Sequence, residues 1–230
     1  MIAPDLNVAA LATAIAENGY AVVPVLDAPA CRALAALWAE EARFRKSIIM
    51  QQRAYGRGEY RYFAYPLPNP VAALRTALYP PLAAVANAWR RTLGVEGEFP
   101  PTLAAFLAQC HAAGQTRPTP LMLRYGPGDF NCLHQDLYGD MVFPLQAVVL
   151  LSEPGRDFEG GEFLLVEQRP RAQSKAEIVP LEMGQAAIFP VHHRPAKGTR
   201  GAYRLTVRHG VSRVRSGDRQ TLGLIFHDAA

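Results

Sequence analysis

Beyond about residue 118 the chain is a series of short apolar runs cut by glycine, proline and aspartate. The runs are Leu121–Tyr125, Leu145–Leu151, Glu162–Val166, Ala186–Phe189, Tyr203–His209 and Gln220–His227. Short strands at regular spacing, separated by turn signals, bury their apolar side chains as a sandwich or barrel. The expected fold is therefore α+β: a double-stranded β-helix (jelly-roll) core with N-terminal buttressing helices.

The first 118 residues read as mainly helical. Val8, Leu11 and Ile15 recur at helical spacing after Asp5 and Asn7, with Gly19 as the stop. Tyr20–Leu26 reads as a strand, and Asp27 with Pro29 starts a second helix carrying Leu34, Leu37 and Trp38. Asn69-Pro70 opens a third helix that Pro80 and Pro81 are expected to stop. A new apolar stripe, Leu82, Val85, Ala86 and Trp89, then runs to near Gly94. These elements predict one compact domain, with a helical part over 1–118 packed on a jelly-roll core over 119–230. Within the first part, 51–68 is a candidate substrate lid.

At 230 residues and 50% hydrophobic, the chain can bury a full core. Its apolar stretches are too short to span a membrane. Met1-Ile2-Ala3-Pro4-Asp5 lacks a basic segment followed by an apolar run, so no secretion signal is expected. Cys31, Cys110 and Cys132 are odd in number and contain no CxxC pair. They read as free thiols in a reducing cytoplasm, and they argue against a structural zinc site.

Chemistry concentrates in His134-Gln135-Asp136, His209 and Arg219-Gln220-Thr221. Strand side chains alternate faces, so His134 and Asp136 point the same way. Two imidazoles and one carboxylate on one side of a metal leave three positions open, which suits Fe(II) without being diagnostic of it. In Tyr203–His209 the odd positions are Tyr, Leu, Val and His, which puts His209 on the inward face. A lone inward histidine also fits a satisfied core residue. Arg219 shifts the balance: Ser216-Gly217-Asp218 reads as a hairpin turn that brings it beside His209 on an antiparallel neighbour. A buried arginine needs an anionic partner, and a bound dicarboxylate would supply one, with Thr221 as a hydroxyl donor on the same face. Tyr125 faces inward too, and either that carboxylate or a backbone group can satisfy its hydroxyl. His192 and His193 are the alternative metal ligands.

Two further stretches bear on partners. From Arg194 to Arg219 there are eight Lys/Arg, Arg200 among them, against one acid, Asp218. Such a run fits an anionic partner or a solvated basic face. In residues 53–65, Tyr55, Tyr60 and Tyr62 are interleaved with Arg57 and Arg61. Aromatic faces with cations suit a flipped base and its phosphates, a peptide, or simple packing on the core.

The run Leu-Arg-Tyr-Gly-Pro-Gly-Asp-Phe-Asn-Cys-Leu-His-Gln-Asp (123–136), Phe-Glu-Gly-Gly-Glu-Phe (158–163) and His-Gly-Val-Ser-Arg-Val-Arg-Ser-Gly-Asp-Arg-Gln-Thr (209–221) resembles the Fe(II)/2-oxoglutarate dioxygenases. The resemblance covers about residues 119 to 228 and is to the prolyl-4-hydroxylase-like branch. The upstream Gly-Arg-Gly-Glu-Tyr-Arg-Tyr-Phe (56–63) and the final Thr-Leu-Gly-Leu-Ile-Phe-His-Asp-Ala (221–229) look like a bacterial family described as oxygenases of alkylation-damaged DNA. AlkB-type demethylases carry Asn-x-Tyr before the iron motif, where this chain has Leu123-Arg124-Tyr125.

The resemblance implies His134, Asp136 and His209 as Fe(II) ligands. It also implies Arg219, helped by Tyr125 and Thr221, as the grip on 2-oxoglutarate, with O₂ as co-substrate. Three functions follow as expectations: hydroxylation or oxidative demethylation of alkylated nucleic acid; hydroxylation of a protein side chain or small metabolite; or a catalytically inactive jelly-roll binding module.

Overall fold

Local signals near the N-terminus set the first elements of the chain. In this computed structural model, which describes residues 6–199 and 201–230, Asn7 caps α1 (Val8–Asn18) through a bond to Ala10 N. Gly19 closes that helix in the left-handed region (φ 88°), and β1 (Ala21–Pro24) follows. Asp27 then caps α2 (Ala28–Ala36), with Pro29 in its first turn. Residues 1–5, which carry Asp5 and the expectation about secretion, lie outside the described residues, as does Arg200.

The rest of the first half is less helical than its composition suggests. It contains β2 (Phe44–Ile49), β3 (Gly56–Arg57), β4 (Glu59–Phe63), α3 (Asn69–Thr92) and α4 (Leu103–Ala112). The candidate lid 51–68 therefore contains two strands, β3 and β4, both paired into sheets. Strand β4 pairs with β2 on one side and with β5 (Leu121–Tyr125) on the other, while β3 pairs with β6 (Phe130–His134). Strand β5 would otherwise present an open edge, and β4 satisfies its backbone groups. A division at residue 118 consequently cuts through a hydrogen-bonded sheet.

Helix α3 corrects a second expectation, because it runs unbroken through Pro80 and Pro81. Each proline removes a donor and costs roughly 3 kcal/mol in a helix interior. Leu74, Leu78, Tyr79, Leu82, Val85 and Ala86 are nevertheless all buried, on both sides of the proline pair. At about 1.5–3 kcal/mol for each large apolar side chain, that continuous face outweighs the prolines.

The remaining strands are β7 (Leu145–Leu150), β8 (Phe158–Gly160), β9 (Phe163–Gln168), β10 (Ser174–Val179), β11 (Gln185–Pro190), β12 (His193–Gly198), β13 (Gly201–Val211), β14 (Val214–Gly217) and β15 (Arg219–Ile225). They form a seven-stranded sheet in the order β1-β11-β7-β15-β5-β4-β2, facing a second sheet in the order β10-β9-β13-β6-β3, with β12 on β13. A two-stranded ribbon, β14-β8, stands beside them. These facing antiparallel sheets are the expected jelly-roll core.

Alternation along the strands sorts their side chains into two layers. On β7, Leu145, Ala147 and Val149 face the helices, packing with Leu78, Phe106 and Ile188. Val148 faces inward with Phe163, Leu165, Phe189 and Val207. Burial on both faces explains why Leu145–Leu151 is almost continuously apolar. Strand β15 divides the same way: Leu222 and Leu224 go to the helices, while Arg219, Thr221 and Gly223 line the space between the sheets.

Candidate active site

His134 is the last residue of β6, and it sits in register with His209 of β13. Their rings lie 4.1 Å apart. Asp136 is two residues past the end of the strand. The intervening Gln135 holds it in place by donating to the carbonyl of Val207 at 2.7 Å. Asp136 Oδ2 is 3.2 Å from His209 Nε2, and Asp136 Oδ1 is 3.7 Å from His134 Nε2. All three ligand atoms lie within 4.8 Å of one another, the one such group among the described residues. Adjacent ligands of an octahedral ion with bonds of about 2.1 Å are roughly 3 Å apart, so these separations fit one cation.

The protonation states fit as well. Burial, with the charge of His134, lowers the pKa of His209 against the opposing pull of Asp136, favouring the neutral imidazole a metal needs. Burial works against ionisation of Asp136. Its bonds to His209 and the Tyr138 hydroxyl, with the pull of the two imidazoles when they are protonated, nonetheless hold its carboxyl well below the usual range. His134 Nδ1 lies 2.8 Å from the carbonyl of Cys132, which accepts a hydrogen bond from Nδ1–H in the tautomer that leaves Nε2 free to coordinate. The buried amide of Gln146 lies 3.5 Å from Nδ1 of His209.

Arg219 enters from the opposite wall. The sequence expectation placed it on the antiparallel neighbour of His209, and the topology overturns this. Residues 216–218 carry the chain off β14, and β15 then joins the other sheet between β7 and β5. The guanidinium reaches the same cavity because the two sheets face each other. It is 2% exposed, and its Nε and Nη1 have no hydrogen-bond partner. The rings of Tyr125 and Phe158 flank it at 5.7 and 5.8 Å. Burial pushes its pKa down to about 10, which still leaves it a cation at neutral pH.

Tyr125 pairs with Arg219 in register, and its hydroxyl accepts from Asn131 Nδ2 at 3.3 Å. Burial raises its pKa, so it stays protonated. Thr221 is buried on the same face of β15. Space for Arg219 comes from Gly161 (φ +62°), where a Cβ would lie 2.7 Å from the arginine Cδ. An orphaned, buried cation opposite three metal-type ligands is what a dicarboxylate bridging the two would require.

Of the aromatic and basic residues anticipated over 55–62, the structure brings only some to the cavity. Tyr55 and Tyr60 line it, and Tyr62 reaches its edge through Tyr138. Arg61 projects from the other face of β4, stacked over Trp38 at 4.3 Å and bonded to Glu59. Arg57 faces Asp129 at 3.7 Å. His192 and His193 sit elsewhere, with His193 at the start of β12 rather than in a loop. The basic run 194–219 does not form one face either. Arg194 is buried against Glu167 at 2.6 Å and Arg219 lies inside, while Arg204, Arg208 and Arg213 are exposed. Sequence reasoning missed Tyr138 and Gln146. The lone polar residue in the buried run Leu145–Leu151 was the available signal for Gln146.

The cavity encloses about 400 Å³. The fold is similar to a prolyl-4-hydroxylase from Pseudomonas putida, with a TM-score of 0.55 and 17% identity over 97% of this chain and 100% of that one. It is also similar to an oxidoreductase of the 2OG-Fe(II) oxygenase family from Burkholderia pseudomallei (TM-score 0.53, 17% identity, 98% and 94% covered). A third similar structure is the non-heme alpha-ketoglutarate-dependent epimerase SnoN from nogalamycin biosynthesis (TM-score 0.57, 18% identity, 94% and 80% covered). In sequence, an uncharacterized protein of Mycobacterium tuberculosis, found in two strains, is 49% identical over 196 residues, 84% of each chain. A family model described as "Oxygenase, catalysing oxidative methylation of damaged DNA" matches residues 58–229. Because that match spans most of the chain, the protein belongs to this oxygenase family.

Proposed function

We propose that the protein hydroxylates an N-alkyl group on a damaged nucleobase, with His134, Asp136 and His209 holding Fe(II). Arg219 grips the distal carboxylate of 2-oxoglutarate, assisted by Tyr125 and Thr221. The observation that carries the cofactor assignment is the guanidinium of Arg219, buried without a partner across the cavity from the triad. When bound, Fe(II) with 2-oxoglutarate and O₂ supplies C–H hydroxylation, releasing succinate and CO₂.

The residues of this chain orient and enclose. Phe163, Phe189 and Val148 make the inner wall apolar, which excludes water and strengthens the Arg219–carboxylate pair. Tyr55 and Tyr60 line the cavity from the substrate side, and their rings suit a flat heterocycle turned out of its stack. Hydroxylation of an N-methyl carbon gives an unstable N–CH₂OH group that releases formaldehyde and restores the base. The family description supports DNA as the source of that base.

The test is succinate and formaldehyde formation with methylated oligonucleotides, methylated nucleosides and peptide pools, for the wild type and for His134→Ala and Asp136→Ala. Substrate-triggered turnover should disappear in both variants. Turnover with peptides alone would move the assignment to a protein hydroxylase.

A further inference from the structure

A second cavity, of about 320 Å³, adjoins the first and shares Tyr55, Tyr60 and Tyr138 with it. Four cations converge on it from three parts of the chain. Arg45 and Lys46 come from β2, Arg53 from the short turn Met50–Arg53, and Arg117 from the segment bridged to Ala229. No Asp or Glu side chain lines it. Lys46, Arg53 and Arg117 are exposed, and among the described residues none of the four has a salt-bridge partner.

We propose that this groove binds the backbone phosphates next to the target base of a nucleic-acid strand whose base enters the oxygenase cavity. The inference rests on the nucleic-acid reading above and adds to it a binding site with named residues. Unpaired cations are ordinary on a protein surface when scattered. Here they converge in a concavity, where like charges repel and focus a positive potential on whatever enters. A nucleotide's phosphate is separated from its base by a single sugar. The two cavities adjoin through three shared tyrosines, as neighbouring sites for a base and its phosphate must.

Arg45 anchors the arrangement. It is half-buried, its Nε donates to the carbonyl of Pro118 at 2.9 Å, and its guanidinium lies over the Tyr62 ring at 4.6 Å. Tyr62 donates to Tyr138, and Tyr138 donates to Asp136. The groove is thus coupled by contact to a triad residue. The three exposed cations remain free to meet phosphate oxygens, while the tyrosine faces offer stacking surface to bases that have left the helix.

The experiment measures single-stranded methylated oligonucleotide binding by fluorescence anisotropy across a salt series. It uses the full chain, the groove variant Lys46→Ala/Arg53→Ala/Arg117→Ala, and a control variant Lys197→Ala/Arg204→Ala/Arg208→Ala from the opposite sheet. Inorganic phosphate is titrated separately. The groove variant should bind at least about ten-fold more weakly. Its slope of log K against log salt should be shallower by about 2, since each single-strand phosphate contact contributes about 0.7. The control variant should match the wild type, and circular dichroism should be the same for all three proteins.

Equal affinity and slope in the groove variant and the wild type, or equal losses in both variants, would remove the groove and leave the nucleic-acid substrate standing. A wild type that binds no oligonucleotide would instead sink the nucleic-acid reading, and the groove with it. Tight binding of inorganic phosphate without oligonucleotide binding would assign the groove to a free anion and overturn the proposal.

Discussion

Tyr138 donates its hydroxyl to Oδ1 of Asp136 at 2.7 Å and receives the hydroxyl proton of Tyr62 at 3.0 Å. Burial, with the charge of Asp136 beside it, raises the Tyr138 pKa well above its usual value, so the phenol remains a donor. The carboxylate is held by one oxygen while the other faces His209. Removing such a support typically costs 10–100-fold in metal affinity or activity. Tyr138→Phe should weaken Co(II) binding, measured by anaerobic titration, by about that factor without altering the fold. Unchanged affinity would show that Asp136 is oriented by Gln135 and the backbone alone.

Arg219 should show opposite effects with and without ligand. Its unpaired buried charge destabilises the ligand-free protein. Arg219→Leu is expected to raise the ligand-free melting temperature by a few degrees, at about 2–4 °C per kcal/mol. It should also abolish the stabilisation by 2-oxoglutarate, which in the wild type reaches about 2.7 kcal/mol at a hundred times Kd. Thermal melts with and without 2-oxoglutarate read both effects.

Gly161 is the residue that lets Arg219 pass. A Cβ there would lie 2.7 Å from the arginine Cδ and 2.9 Å from Val214 Cγ2, on a backbone at φ +62°. Gly161→Ala should lose about 1–3 kcal/mol of stability in denaturant titrations. It should also weaken 2-oxoglutarate binding more than metal binding, because neither displaced side chain, Arg219 or Val214, belongs to the metal triad. Parallel losses in both affinities would argue for general disruption instead.

Acid sensitivity should trace in part to His227. This residue is fully buried, and Nδ1 accepts from the backbone of Phe143 at 3.3 Å. Burial pushes its pKa down to about 4, against the pull of Asp136. Between about pH 6.5 and 4 the unfolded chain therefore binds the proton and the folded one does not, so stability rises with pH across that window. The contribution is complete above 6.5, lost on acidification toward 4, and reaches up to about 3 kcal/mol. Denaturant unfolding at pH 7, 5.5 and 4.5 should show a shallower pH slope in His227→Asn than in wild type.

Strand periodicity in residues 121–225, the inward face of His209 and the helix caps at Asn7 and Asp27 were all readable from residue order. Each depends on neighbours within a few positions and on one rule of alternation or capping. The persistence of α3 through Pro80 and Pro81 was not readable. A local penalty lost there to a buried face supplied by α1, α4 and the sheet.

The same contrast holds at the site. Residue types and spacing were enough to nominate His134, Asp136, His209 and Arg219, because ligand chemistry and charge belong to the side chains themselves. Which wall Arg219 reaches from, whether Arg61 turns toward the cavity or away to Trp38, and the meeting of Arg45, Lys46, Arg53 and Arg117 in one groove were settled only by tertiary packing. These relations join residues far apart in sequence through strand crossovers between sheets, and no local pattern encodes a crossover.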